Sequence, residues 1–321
     1  MQRKRWKKRL KRGPGAWAAF VGLGCLYVVL HLVSTSAIPV IGRWVGGMIA
    51  CFAGPRRRIA MKNITLALGS SWGLQTRRRM VQRLMQGLGL NLAELGHPGF
   101  MQIDFLRKRV PIQGLEHLEE ALSKGRGAIL ASAHFGNFPL ILARLGLEGY
   151  QVGVIIRDPR HKPVARFLDQ WRARYNVRTL RDKPRWASVK EALALLRQNG
   201  ILVVHVDLNV SEGGLFVPFF GHWVPTFRGP AMLALRSGTP LLPTFIKRLQ
   251  GLDHRLSIHP PVQVQLTGNR DQDTWQMLLA LNQEAEKTIR EYPEQWWWIH
   301  RRFRKAKPAS EVGSPIPLES A

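Results

Sequence analysis

From about residue 112 onward the apolar positions of the chain fall into two alternating patterns. Short, nearly unbroken apolar runs bounded by turn residues occupy 127–133, 151–156, 201–206 and 241–247, with weaker ones at 255–259 and 262–266. Strands of a parallel sheet, covered on both faces, read this way. Helix-length stretches lie between and after them at 115–124, 137–147, 162–175, 186–198, 230–237 and 273–291. Strands alternating with helices predict the α/β class, here a layered α/β/α domain with a mostly parallel, mixed sheet. No internal repeat interrupts the order.

The N-terminal part is patterned differently. Residues 2–12 form a basic run, and 16–33 follows without a charge, broken only by His31. That length is just enough to cross a bilayer core of roughly 30 Å. No convincing small-residue cleavage site follows, so the stretch predicts an uncleaved anchor with the basic run on the cytoplasmic side. A second apolar stretch at 37–53 contains Pro39, Arg43 and several glycines, which suits an interfacial helix better than a crossing. Arg56, Arg57, Arg58 and Lys62 come next, then Arg77, Arg78 and Arg79. Positive charge on both sides predicts a re-entrant or surface-lying pair of membrane-anchoring helices, with the body left on the cytoplasmic face. The expected organisation is a basic N-terminus and anchor over 1–55, an α/β body over 56–304, and a disordered Pro-, Ser- and charge-rich tail over 305–321.

Charge sharpens this picture. The chain holds 48 Lys and Arg against 21 Asp and Glu, a formal net charge of +27. The first acidic residue is Glu94, and 17 of the basic residues precede it. Such a surface seeks nucleic acid, acidic lipid headgroups or an acidic protein. The apolar N-terminus and the lack of any groove-reading motif argue against nucleic acid. Cys25 and Cys51 both sit in apolar segments, with neither a disulfide framework nor zinc spacing.

Candidate chemistry gathers where strands end. The run Ala128–Ala133 stops at His134 and turns through Gly136 toward a helix. Reactive groups collect at the carboxyl ends of strands in open α/β sheets, and imidazole passes protons near neutral pH. A core or capping histidine is the plainer alternative. Asp207 closes the strand at 201–206 in the same way, where a turn-capping role is the plainer reading. In 217–231, Gly229-Pro230 reads as a helix start with Arg228 beside it, suited to an anion, or else as an ordinary hairpin and cap. Arg157, Arg172, Arg174 and Arg178 surround a predicted helix, where most basic residues face solvent. Tyr292–Arg304 interleaves Trp296, Trp297 and Trp298 with arginines, as at a membrane–water interface or in cation–π packing. The chain has no Lys-Ser/Thr phosphate loop, no Gly-x-Ser-x-Gly elbow and no His-Glu-x-x-His. His222, His254, His259 and His300 lack metal-ligand spacing.

Four segments together resemble the bacterial lipid A biosynthesis (lauroyl/myristoyl) acyltransferase family, within the lysophospholipid acyltransferase group. They are Arg58-x-x-Met61-x-Asn63, His134-Phe135-Gly136-Asn137, Phe219-Phe220-Gly221 with Thr226 and Gly229-Pro230, and Pro293-Glu294-Gln295-Trp296 with His300-Arg301-Arg302. The resemblance covers roughly Arg56 to Arg304. It implies transfer of a fatty acyl chain from a thioester, on acyl carrier protein or coenzyme A, to a hydroxyl of an anionic membrane lipid. It also implies residence at the inner membrane and no metal or redox cofactor. The family motif is His-x4-Glu/Asp, in which the histidine is the general base and the acid orients it. His134 takes the base position by that alignment. Arg172 or Arg174 falls where family arginines follow the motif, Asp207 matches a later acidic position, and Asn137, Arg157, Arg228 and Arg301 join the expected substrate contacts.

The chain departs from the motif at Pro139, which stands in place of the acid. Three readings follow. A carboxylate from elsewhere, Asp207 first, could reach His134; His134 could work without an acid, oriented by a backbone carbonyl; or the protein could bind lipid without transferring an acyl chain.

Overall fold

The computed structural model describes residues 14–69, 72–157, 162–210 and 213–308. The basic run at 2–12 and residues 309–321 of the tail lie outside them. The chain begins with helices α1 (Pro14–Leu32), α2 (Ile38–Phe52), α3 (Gly54–Leu68), α4 (Leu74–Gly96) and α5 (Ile103–Arg109). Helix α2 lies against α4 so closely that only glycine fits between them. A Cβ on Gly89 would run into the backbone of Gly42 and Gly46. The outer face of α2 leaves Val40, Trp44, Met48 and Phe52 exposed. Among the described residues, Thr35–Phe52 is long and apolar enough to cross a membrane by length and composition, and α1 is itself an uncharged, apolar helix of 19 residues.

The body follows as β1 (Ile112–Gln113), α6 (Leu115–Ser123), β2 (Ala128–Ser132), α7 (Pro139–Leu147), β3 (Val152–Ile156), α8 (Lys162–Arg174), β4 (Val177–Arg181), α9 (Arg185–Arg197) and β5 (Ile201–His205). A hairpin of β6 (Gly214–Phe219) and β7 (His222–Phe227) comes next, then α10 (Gly229–Ser237), β8 (Leu241–Gln250), β9 (Asp253–Ile258), α11 (Arg270–Glu291) and β10 (Lys307–Pro308). The main sheet has the order β1-β9-β8-β2-β5-β3-β4. Only the β8–β9 pairing in it is antiparallel. This is the layered α/β architecture with a mostly parallel mixed sheet.

Strand β2 is central and buried along its whole length. Its side chains alternate between two layers. Ala128 and Leu130 join Leu140, Ile141 and Leu145 of α7 on one face. Ile129 and Ala131 join Leu195, Leu233, Leu278 and Leu281 of α9, α10 and α11 on the other. Each such Leu or Ile removed from water contributes about 1.5–3 kcal/mol before conformational entropy is subtracted. The chain leaves β2 for β3 and β4, returns with β5 between β2 and β3, and later adds β8 on the other flank of β2. Strand directions of travel therefore part around β2, and the crevice above its carboxyl end is where open α/β sheets hold ligands.

Several expectations are corrected. Residues 262–266 form no strand, because Pro260 and Pro261 cannot donate to a ladder and the chain peels away after Val262 bonds Leu241. Strand β4 has no counterpart among the predicted strands; as an edge strand it mixes buried Val177 and Leu180 with exposed Arg178. Residues 305–308, assigned to a disordered tail, are ordered, since Lys307 and Pro308 pair with Trp223 and His222 of β7. Helices α3, α4 and α5 have no counterpart among the predicted helices.

Candidate active site

Strands β2 and β5 run parallel in a register that sets Ser132 beside His205. Two residues further along each chain, His134 and Asp207 face one another. Asp207 holds His134 twice. Its Oδ2 accepts the main-chain N–H of His134 at 2.9 Å, and its Oδ1 lies 2.8 Å from His134 Nδ1. A third donor, the indole N–H of Trp296, reaches Oδ2 at 2.8 Å. The carboxylate that Pro139 cannot supply is thus at hand from the neighbouring strand.

Burial would raise the Asp207 carboxyl, but the His134 ring, the two bonds from that residue and the nearby His205 outweigh it and hold the group well below the carboxylate range. An ionised Asp207 fixes the proton on His134 Nδ1 and leaves Nε2 as the acceptor. His134 Nε2 has no hydrogen-bond partner among the described residues, and the side chain keeps 18% of its surface open. The ring is therefore aimed outward and not sealed in the core.

The surroundings are aromatic. Phe138 and His205 stand 4.8 and 4.6 Å from the His134 ring, and Trp297 stands 6.2 Å away. Burial, with His134 alongside, pushes the His205 imidazole down to about 3, so this second ring is neutral at physiological pH. Its Nε2 is buried without a partner. An apolar, uncharged wall beside a solvent-reaching Nε2 suits a hydroxyl that must lose a proton next to an alkyl chain.

The loop that carries His134 is held from two sides. Its backbone pairs with the chain at 295–297: Gly136 N–H donates to Gln295 O at 3.0 Å, and Trp297 N–H donates to His134 O at 3.0 Å. Gly136 has φ +57°, and a Cβ there would strike the Ile246 carbonyl. Below the loop, Asn91 donates to Gly136 O at 2.8 Å, and Asn137 donates to Glu94 at 2.7 Å. Glu94 is fully buried and is met by Arg248 and by His254 Nε2. Its burial would raise the carboxyl, yet His254 and Arg248 bring it down to about 2.

The predicted substrate contacts separate on this geometry. Asn137 is buried and committed to Glu94, so it holds the loop and does not face the cleft. Arg172 is buried against Asp169 and Thr179. Arg174 reaches Tyr27 of α1, and Arg157 makes an exposed pair with Asp182. None of these meets His134. Arg228 is half-open, 3.8 Å from Asp271. Arg301 is exposed on a segment that runs beside the site, since Arg302 bonds Leu208 O and Pro225 O, and His300 Nδ1 accepts from Asn209 N–H. Arg302 itself is buried; desolvation lowers it to about 10 while Asp207 supports its charge.

The tryptophan run is also relocated. Trp296 and Trp298 are core residues, where Trp298 packs on Trp296 at 4.5 Å. Cation–π contacts in this cluster come from Arg302 over Phe219 at 5.3 Å and Arg290 over Phe220 at 4.7 Å. Sequence reasoning missed Trp296 as a partner of Asp207, and missed Glu94. The signal for Glu94 was present: a first acidic residue after a long acid-free stretch, at a position on the apolar stripe of its helix.

Comparison with known proteins places these features in a family. The family model described as bacterial lipid A biosynthesis acyltransferase matches residues 4–305. The lipid A biosynthesis lauroyltransferase of Escherichia coli (strain K12) is 26% identical over 299 residues, 91% of this chain and 92% of that protein. The lipid A biosynthesis palmitoleoyltransferase of the same organism is 27% identical over 302 residues, 93% and 94% of the two. A phosphatidylinositol mannoside acyltransferase of Mycobacterium tuberculosis (strain ATCC 25618 / H37Rv) is 31% identical over 138 residues, 41% and 42% of the two.

Proposed function

This chain belongs to the bacterial lipid A biosynthesis acyltransferase family and is an acyltransferase; from that premise we propose that it moves a fatty acyl chain from an acyl thioester to a hydroxyl of a membrane lipid, with His134 as general base. The observation that carries the proposal is the 2.8 Å contact between Asp207 and His134 Nδ1 beside an open Nε2.

In this reading the acceptor hydroxyl gives its proton to His134 Nε2 while its oxygen attacks the thioester carbonyl. Asp207 balances the imidazolium that forms, as in hydrolase triads. The tetrahedral oxyanion then collapses, the C–S bond breaks, and the leaving thiolate takes the proton back from Nε2. Acyl carrier protein or acyl-CoA is the donor, and Arg228 and Arg301, both open to solvent, meet the anionic headgroup of the acceptor. Residues 1–55 serve as the anchor and 56–304 as the catalytic body at the cytoplasmic face of the inner membrane.

The test is acyl transfer by purified protein in mixed micelles containing a lipid A precursor, followed by release of free thiol. His134→Ala is expected to abolish transfer. Undiminished transfer by that variant would overturn the base assignment, and a wild-type protein that binds the lipid but releases no thiol would make it a binder.

A further inference from the structure

A second cavity, of about 760 Å³, opens between α2, α3 and α4 and shares no lining residue with the surroundings of His134. Its wall divides by chemistry. Gly47, Ala50, Met61 and Val81 make an apolar floor, and Arg57, Arg58, Arg78 and Arg79 make a rim. All four arginines are exposed, and among the described residues no carboxylate lies within 4.0 Å of any of them. The reason is in the sequence, which places no acidic residue before Glu94. The first turns of α3 and α4 bring Gly54 and Gln75 to the cavity. Neither α3 nor α4 has a capping side chain or an acid in its first turn, so no carboxylate offsets the positive end of either helix dipole.

The floor is continuous with the apolar outer face of α2. Gly47 and Cys51 line the cavity, while Trp44, Met48 and Phe52, one helical step away on either side, are exposed. Anything that fills the floor therefore reaches it along the same surface that meets the bilayer. A free anion would leave the floor empty, and a neutral lipid would leave four guanidinium charges without a counter-charge, although Arg57 Nη1 also donates to Ala50 O. From this combination we propose that the cavity is a binding site for a single anionic phospholipid of the surrounding membrane: its headgroup phosphate lies among Arg57, Arg58, Arg78 and Arg79, and its first acyl carbons lie on Gly47 and Ala50. The volume falls within the range of sites that hold ligands. The lipid is a fixed ligand, not the acceptor, and it sets the height of the body over the bilayer. This inference does not depend on acyl transfer by His134.

The experiment is native mass spectrometry of the full-length protein in mild detergent, titrated with phosphatidylglycerol or with phosphatidylcholine of the same chains. One phosphatidylglycerol should bind per chain at concentrations where phosphatidylcholine does not. The double change Arg78→Gln with Arg79→Gln should weaken binding about thirty-fold, from the usual strength of a basic side chain on anionic lipid. Gly47→Leu should weaken it at least tenfold with the charge untouched, because a Cβ at Gly47 meets nothing and the new side chain occupies the floor. His134→Ala should bind like wild type, which separates this site from the catalytic one. Equal binding of the two lipids, full binding by Gly47→Leu, or displacement by millimolar inorganic phosphate would each overturn the proposal. Thermal unfolding of each variant in the same detergent checks that the fold is intact.

Discussion

Replacing Asp207 by asparagine tests the catalytic geometry most sharply, because the two side chains share a shape. Asp207 Oδ2 accepts two N–H groups that have no other role, those of His134 and Trp296. Both are sealed from water, so leaving them unpaired costs on the order of 1–3 kcal/mol each. In Asp207→Asn the carbonyl oxygen of the new amide must therefore take the Oδ2 position, and its nitrogen must face His134 Nδ1. An N–H donor there selects the tautomer in which Nδ1 is bare and Nε2 carries the proton. The nitrogen that faces the cleft then no longer accepts. In hydrolase triads the same inversion costs about 10⁴ in kcat, roughly 5 kcal/mol at about 1.36 kcal/mol per tenfold. We expect a fall of that size in acyl transfer from a labelled thioester in mixed micelles, with KM changed by no more than a few-fold. The loss should persist at every pH, since a tautomer does not respond to pH as a shifted pKa would. The fold should survive, because the two bonds to the Oδ2 position remain. A kcat within tenfold of wild type, or activity restored by raising the pH, would refute the orienting role of Asp207.

Three further outcomes follow from the same network. The His205 imidazole is depressed to about 3 in the folded protein, whereas the unfolded chain protonates near ~6.5; between those values the unfolded state binds more protons, so stability falls on acidification. His205→Phe should remove that term, making wild type lose about 2 kcal/mol more than the variant between pH 7 and pH 5 in denaturant melts; parallel losses would count against a neutral buried ring. Glu94→Gln strands Arg248 and His254 beside a neutral amide, a loss of about 3–5 kcal/mol or roughly 10 °C in Tm; an unchanged Tm would mean the cluster is not a structural keystone. Gly136→Ala places a Cβ at φ +57° against the Ile246 carbonyl and should lower both Tm and kcat; a variant with wild-type kcat would show that the loop tolerates a different path.

Much of the body was readable from the sequence because its strands are buried on both faces. Ile129, Leu130, Ile201 and Leu202 have no exposed side to dilute the apolar run, so each strand announced itself. Strand β4 and helix α4 were harder for the opposite reason: Arg178 and the arginines at 77–79 lie among the apolar positions, and charge masked the spacing of Leu180, Met80, Leu84 and Ala93. The histidine of the site was legible because it ends such a strand and because His134-Phe135-Gly136-Asn137 matches the family motif; the strand end alone left a core histidine as the plainer reading. Its supporting residues were not. Glu94 and Arg248 meet across 154 residues of sequence, and Trp296 lies further on still, so their meeting depends on how helices and loops close over the sheet. Of the arginines chosen by motif position, Arg172 is turned from the cleft for a local reason, since Asp169 is its neighbour on one helix and the two pair with each other.

The proline at 139 makes sense once register is considered in place of linear spacing. Pro139 opens helix α7 at a position where the missing N–H removes no helical bond. A motif that counts five residues forward from His134 finds no acid there. The parallel sheet counts sideways: with Ser132 fixed beside His205, residues two beyond each must meet, and those are His134 and Asp207. Because the same carboxylate binds both the main chain and the ring of His134, it sets the loop and the imidazole together. An acid reached through the helix would have to hold the ring alone, against the freedom of its own side chain. Loss of the motif acid is thus compatible with an oriented base, provided that the register of β2 and β5 is kept.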